Sequence, residues 1–216
     1  MRFRAALLDL DGTLLDTLSD LAEAMNRVLR RHGFRTHPVS DYKGFVGDGV
    51  EWLVRRALPD GHRMEQDIPR FVDAMRREYK ALDHAQTRPY PGIAQLLEAL
   101  TERGVRLAVL SNKMDDFTKE MVARFFPHVH FDAVVGAAPG APVKPDPTAA
   151  LEIAREIGIV PEDWMHLGDT AVDMKTAVAS GMFAVGALWG FRSAEELIQG
   201  GAQVLVRSPG ALHSFL

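Results

Sequence analysis

Phe3-Arg4-Ala5-Ala6-Leu7-Leu8-Asp9-Leu10-Asp11-Gly12-Thr13 is the stretch from which the architecture is read. An apolar run from Phe3 to Leu10 is broken at Asp11, Gly12 and Thr13, so it reads as a short strand that delivers into a polar turn. After it the period changes. From about Thr17 to Arg31, Leu18, Leu21, Met25, Val28 and Leu29 fall on one helical face, and Gly33 ends that helix. Two further helices are predicted over Val50–Leu58 and Ile68–Leu82, with no convincing strand between them.

From Pro89 onward the pattern alternates. Helices are predicted over Gly92–Arg103, Asp115–Phe125, Thr148–Ile157, Ala171–Ser180 and Ala194–Gln199. Strands are predicted over Val105–Leu110, Ala133–Val135, Trp164–Leu167, Met182–Val185 and Gln203–Val206. Such alternation implies a parallel sheet wrapped by helices. The predicted fold class is therefore α/β, a doubly wound parallel-sheet core (residues 1–17 and 86–216) interrupted by an all-helical insertion (residues 18–85). Ligands of open α/β sheets sit at the carboxyl ends of the strands, and chemistry is sought there.

Four strand ends carry it. Asp9 and Asp11 are two apart, on one side of an extended chain, and two carboxylates so placed call for a hard cation such as Mg²⁺. A plain Asp-Gly turn is the competing reading. Ser111-Asn112-Lys113 follows the second core strand and offers a hydroxyl and backbone N–H groups to an anion, or merely a helix cap. Lys144 lies in Val143-Lys144-Pro145-Asp146-Pro147, where proline restricts the backbone and fixes the direction of an ammonium. Gly168-Asp169-Thr170-Ala171-Val172-Asp173 brings another acid pair, one helical turn apart, which first-turn chemistry alone also explains. Each signal is weak alone. In this order they supply a divalent-cation site, a phosphate site and a carboxylate free to act as nucleophile.

At this point the chain resembles the haloacid dehalogenase superfamily of phosphohydrolases over essentially its whole length. Asp9-Leu10-Asp11-Gly12-Thr13-Leu14-Leu15-Asp16-Thr17 matches the first motif of that superfamily. Ser111, Lys144 and Gly168-Asp169 through Asp173 match the second, third and fourth in order and spacing. The resemblance implies a Rossmann-like core with a helical cap. It implies that Asp9 attacks phosphorus to form an aspartyl-phosphate, and that Asp11 protonates the leaving alcohol and then deprotonates water. Mg²⁺ would be held by Asp9, the Asp11 carbonyl and Asp169. Ser111, with Asn112 and Lys144, would hold the phosphoryl group, and Asp173 would lie beside the metal or order Lys144. An acid two residues after the nucleophile separates phosphatases and phosphomutases from dehalogenases.

A finer resemblance points to the phosphoglycolate phosphatase-like branch. It rests on Phe45-Val46-Gly47-Asp48-Gly49-Val50, on Leu53–Leu58 and on Gly190-Phe191-Arg192-Ser193. Departures are Val143 before the motif lysine and the Ala/Gly/Pro-rich stretch 136–142. A small phosphorylated metabolite, 2-phosphoglycolate first, is the expected substrate. A sugar phosphate, pyrophosphate, phosphomutation or a catalytically silent binding protein are the alternatives. In the helical insertion, Lys43 and the Gly47-Asp48-Gly49 loop are the candidates for substrate selection. Arg55 and Arg56 read as a solvated helix face, Trp52 as packing, and His166 as a core or edge residue of its strand.

Composition narrows the classes. With 25 Lys+Arg against 29 Asp+Glu, the net charge of −4 supplies no basic field for a nucleic acid. Cysteine is absent, which excludes disulfides, thiolate metal sites and a cysteine nucleophile. The first apolar run is too short for a signal peptide and no later one approaches a membrane span, so a cytoplasmic protein with no membrane partner is expected. Monomer and homodimer are equally compatible with the sequence.

Overall fold

The computed structural model describes residues 3–215. In chain order, β1 (Ala5–Leu8) and β2 (Leu15–Asp16) are followed by α1 (Leu18–Arg31), α2 (Tyr42–Phe45), α3 (Val50–Ala57) and α4 (Ile68–Leu82). Next come β3 (Arg88–Pro89), α5 (Ile93–Glu102), β4 (Arg106–Met114), α6 (Asp115–Phe125), β5 (Ala133–Ala137), α7 (Thr148–Ile157) and β6 (Trp164–Gly168). The chain ends with α8 (Ala171–Ser180), β7 (Phe183–Ala187), α9 (Ala194–Gly200), β8 (Val204–Val206) and a 3-10 segment at Pro209–Phe215. The backbone divides into two compact units, Met1–Leu15 with Pro89–Leu216, and Asp16–Arg88. The chain passes from one to the other within β2 and β3, which pair as a two-stranded ribbon.

The larger unit is built on one six-stranded sheet of order β5-β4-β1-β6-β7-β8, parallel throughout. Its strands alternate between two apolar layers, as the pleat dictates. Ala6 and Leu8 of β1 join Leu107, Val109, Leu167 and Val185 on one face, over α5 and α6. Ala5 and Leu7 join Ala108, Leu110, Trp164 and Met174 on the other, over α7 and α8. Each fully buried Leu contributes about 1.5–3 kcal/mol, so both faces being covered is what holds the strands parallel and central. β1 lies between β4 and β6, and the connections leave it in opposite directions. That switch point opens a crevice at the carboxyl end of β1.

Two of the element boundaries that differ from the sequence expectation bear on the site. β1 ends at Leu8 and not at Leu10. Asp9 N–H still donates to Leu167 O at 3.0 Å, but the Leu10 carbonyl turns back to accept from Thr13, Leu14 and Leu15. β4 extends past Leu110 to Met114, with a register shift against β5 between those residues. Gly136 of β5 permits the close approach there, since a Cβ on it would stand 2.7 Å from the Lys113 carbonyl oxygen. Ser111 therefore lies inside a strand and does not cap α6, whose preceding residue is Met114.

The smaller unit packs α4 against α1 and α3, burying Leu21, Met25, Val28 and Leu29 with Leu53, Val54, Phe71 and Met75. The four-residue α2 was not expected; with Gly44 inside it, it leaves no helical period to read. Three buried polar side chains here are paired. Asn26 bonds the backbone of His37 in both directions, at 2.8 and 3.0 Å, and accepts from the Tyr42 hydroxyl at 2.9 Å. Asp20 accepts from Thr87 N–H at 2.8 Å, from its hydroxyl at 2.7 Å and from Gln86 N–H. Glu78 pairs with Arg31.

Candidate active site

The carboxyl ends of β1, β4 and β6 bring charged side chains from four parts of the chain together. Asp9 follows β1 directly, and Asp169 follows β6. Lys144 comes from the loop ahead of α7, and Asp173 from the first turn of α8. Lys144 Nζ stands 2.8 Å from Asp9 Oδ1 and 2.6 Å from Asp173 Oδ1, with all three side chains buried. Asp173 is anchored independently: Thr170 N–H and hydroxyl donate to its Oδ2 at 3.0 and 2.7 Å. This is a reciprocal capping box at the start of α8. One acid thus caps the helix with one oxygen and orients the lysine with the other.

Asp169 is held from two directions. The Thr13 hydroxyl donates to Oδ1 at 2.9 Å, and Phe191 N–H to Oδ2 at 2.7 Å. Trp189 Nε1 in turn donates to Thr13 O at 3.0 Å. Gly12, at φ +86°, lets the turn after β1 lie against this carboxylate; a Cβ there would come within 2.7 Å of Asp169 Oδ1. Asp11 pairs with Lys113, whose Nζ is 3.2 Å from both of its oxygens. Ser111 and Asn112 are buried beside it. Ser111 Oγ accepts from Lys113 N–H at 3.2 Å, and Asn112 Nδ2 donates to Lys144 O at 2.9 Å, tying the lysine loop to β4.

The electrostatics follow from burial. Desolvation pushes the Asp9 carboxyl up to about 7, even though Lys144 pulls it down; Asp173 and Asp11 add to the rise. Asp169 is raised well above the carboxylate range by burial and by Asp9 and Asp173, against the Phe191 and Thr13 bonds. Asp173 goes the other way: burial raises it, but Lys144 and the Thr170 hydroxyl outweigh that and leave it low. Burial opposes the Lys144 charge, yet Asp173 and Asp9 hold its ammonium above its ordinary value. His166, inside β6, is wholly buried and its pKa falls to about 3, through burial first.

Oxygen atoms of Asp9, Asp169 and Asp173 lie within 4.8 Å of one another. Among the described residues, Asp9, Asp11, Asp169 and Asp173 face only Lys113 and Lys144 as ammonium partners. Ionising all four carboxylates against two ammoniums leaves a deficit of two positive charges among desolvated oxygens, which protons on Asp9 and Asp169 relieve and which is the charge and donor type a divalent hard cation satisfies.

Sequence reasoning assigned no role to Thr13 or Lys113. Thr13 donates across 156 residues, and Lys113 is positioned by a strand extension that its apolar pattern does not announce. In the helical unit, Lys43 is exposed on α2. Gly47 and Gly49 adopt φ of +123° and +93°, and Asp48 between them pairs with Arg56 at 2.5 Å. Two expectations are corrected there. Trp52 is 51% exposed and not packed; it stands under the Arg55 and Arg56 guanidiniums at 5.6 and 5.5 Å. Those arginines are half-buried and bonded: Arg56 to Phe45 O as well as Asp48, and Arg55 to Arg63 O and Glu65.

Residues 6–187 match the family model described as haloacid dehalogenase-like hydrolase. The chain is 34% identical to a phosphoglycolate phosphatase of Aquifex aeolicus over 87% of its own length and 86% of the relative. It is 32% identical to a phosphoglycolate phosphatase of Nitrosospira multiformis over 95% and 92%. A Lactobacillus delbrueckii subsp. bulgaricus structure, provisionally named a phosphoglycolate phosphatase, is similar at TM-score 0.90 and 32% identity, covering 100% of this chain and 98% of that one. No described helix is long and apolar enough to cross a membrane.

Proposed function

Since the chain belongs to the haloacid dehalogenase-like hydrolases, we propose that it is a Mg²⁺-dependent phosphatase acting on 2-phosphoglycolate through an aspartyl-phosphate. The observation that carries this is the uncompensated charge of the buried carboxylates at the end of β1 and β6, together with the named activity of the relatives that cover nearly the whole chain. Asp9, Asp169 and the Asp11 backbone carbonyl would hold the cation, the two side chains offering the oxygen donors a hard cation takes, and it would keep Asp9 ionised and offset charge on the phosphoryl oxygens.

Asp9 attacks phosphorus with the oxygen that Lys144 does not engage. Lys144, oriented by Asp173, neutralises charge that gathers on the transferring group. Ser111 donates its hydroxyl to a phosphoryl oxygen, and Asn112 keeps the Lys144 loop in place. Asp11 donates a proton to the leaving oxygen as its bond to phosphorus breaks, then removes one from the water that attacks the phosphorus of the Asp9 acyl phosphate, breaking its bond to Asp9 and releasing phosphate. Positioning and charge neutralisation supply most of the acceleration in phosphoryl transfer. On the helical unit, Lys43 and the Gly47-Asp48-Gly49 loop are the proposed sites of substrate selection.

The test is phosphate release from a panel of 2-phosphoglycolate, sugar phosphates, nucleotides and pyrophosphate, with Mg²⁺ or with a chelator. A preference of a hundredfold in kcat/KM for 2-phosphoglycolate, about 2.7 kcal/mol, supports the reading. Release that is flat across the panel removes 2-phosphoglycolate as the substrate, and release that survives the chelator removes the metal.

A further inference from the structure

Lys113 is the buried ammonium that this reaction scheme leaves without a task. Its side chain is 6% exposed, and Nζ lies 3.2 Å from both oxygens of Asp11. The backbone beneath it is pinned. Its N–H donates to Ser111 Oγ at 3.2 Å, and its carbonyl accepts from the Thr118 hydroxyl at 3.2 Å. Gly136 closes against that same carbonyl. A long flexible side chain that starts from a fixed point and ends on a bidentate contact holds its charge at a defined place.

We propose that Lys113 is a specificity-determining residue that recognises a carboxylate on the carbon next to the ester oxygen, so that the substrate class is the phosphate esters of 2-hydroxy acids. This rests on the reading above, in which Asp11 faces the leaving oxygen. A proton donor stands about 2.6–3.2 Å from the oxygen it serves. With Nζ 3.2 Å from the Asp11 oxygens, the ammonium is then within about 6 Å of the ester oxygen, by the sum of two hydrogen-bond lengths. A carboxylate one carbon removed from that oxygen falls inside the same range. While Asp11 directs its proton at the leaving oxygen, the substrate's own anion meets the lysine charge. With a neutral leaving group the ammonium keeps only Asp11, which is itself uncharged while it holds the proton, and a buried charge without an anion is unfavourable.

The experiment compares three esters of nearly equal size with Mg²⁺: 2-phosphoglycolate, ethyl phosphate and phosphoethanolamine, whose end groups are anionic, neutral and cationic. The wild-type chain is expected to favour them in that order, with at least a hundredfold in kcat/KM between first and last. Lys113→Met is expected to reduce the preference of 2-phosphoglycolate over ethyl phosphate to less than tenfold, chiefly through KM for the acid, and Lys113→Arg to restore part of it. A flat series in the wild type overturns the assignment without any variant being made. So does an equal loss on acid and neutral esters in Lys113→Met, which would make the residue a partner of Asp11 alone. No release from any ester by the wild type would instead overturn the phosphatase reading, and this assignment with it.

Discussion

Both units bury acids, and they treat them differently. In the helical unit, Asp20 meets two backbone N–H groups and a hydroxyl, and Glu78 meets an arginine. Their charges are answered from within the fold. In the sheet unit, Asp9 and Asp169 are buried as deeply and are driven upward in pKa by desolvation and by the acids around them, which Lys144, shared between Asp9 and Asp173, offsets only in part for Asp9. Folding gains nothing from a crowded set of desolvated carboxylates. The difference separates a group kept for structure from one kept for reaction: the first has its partner, the second is waiting for a ligand.

The sharpest way to break the contrast is Asp9→Asn. If Asp9 is the nucleophile, kcat falls by about 10⁴-fold or more, the scale seen when a covalent nucleophile is removed. Because one of four clustered carboxylates is lost, the melting temperature of the metal-free chain stays level or rises. Turnover within tenfold of wild type would remove Asp9 from the chemistry. Gly12→Ala acts a step further out. Its Cβ would press on the Asp169 carboxylate at a φ that disfavours a side chain. The Mg²⁺ concentration for half-maximal activity should rise about 10–100-fold, as when groups that orient a metal ligand are disturbed. An unchanged Mg²⁺ dependence would place the metal elsewhere.

The helical unit supplies the opposite case. Asn26→Ala strips partners from the Tyr42 hydroxyl and from the His37 N–H and carbonyl. A loss of about 2–3 kcal/mol in stability is expected from unsatisfied buried groups, read by denaturant unfolding. Turnover of an aryl phosphate per folded molecule should change less than about threefold, since a satisfied buried group of this kind acts on stability alone. A large fall in turnover with no change in unfolding would show that pairing does not distinguish structure from reaction here.

How far the site could be read from sequence follows the same division. Asp9, Ser111 and Asp169 were legible because each stands close to where an apolar run stops, and strand ends are where a parallel sheet presents its ligands; Lys144 was legible from the prolines that follow it. Thr13 and Lys113 were not. Thr13 reads as turn filler until folding sets Asp169 against it. Lys113 lies beyond the apolar run that ends at Leu110, in a strand extension held by Thr118 and Gly136, partners that no period announces. Trp52 was misjudged because its helix is amphipathic around Leu53 and Val54, and the face bearing Trp52 carries guanidiniums instead of a core. The long helices α1 and α4 were legible from their periods, whereas α2 was too short to have one.

The smallest expected effect concerns protons. Asp9 and Asp169 have folded pKa values above the value near 3.8 of the unfolded chain. A carboxyl raised in this way contributes stability that is fully present below its unfolded pKa and is lost as pH rises through its folded one. For Asp9 that window runs from about 3.8 to about 7. His166 works in the opposite sense. Its folded pKa of about 3 against an ordinary 6.5 gives stability that is present above 6.5 and lost as pH falls toward 3. The pH profile of the metal-free chain therefore mixes two opposed trends. The difference between melting curves with and without Mg²⁺ removes the His166 share, because that ring is not among the proposed ligands. A cation must displace the protons on Asp9 and Asp169, so it binds more tightly as pH rises. At a Mg²⁺ concentration about a hundred times its dissociation constant, binding adds about 2.7 kcal/mol. In a chain of this length that is about 5–10 °C of melting temperature. The Mg²⁺-induced shift should accordingly grow from near zero at pH 5 to its full size at pH 8. A shift of the same size at both ends would mean that the cation binds away from the buried acids, and the charge deficit at the end of β1 would then need another occupant.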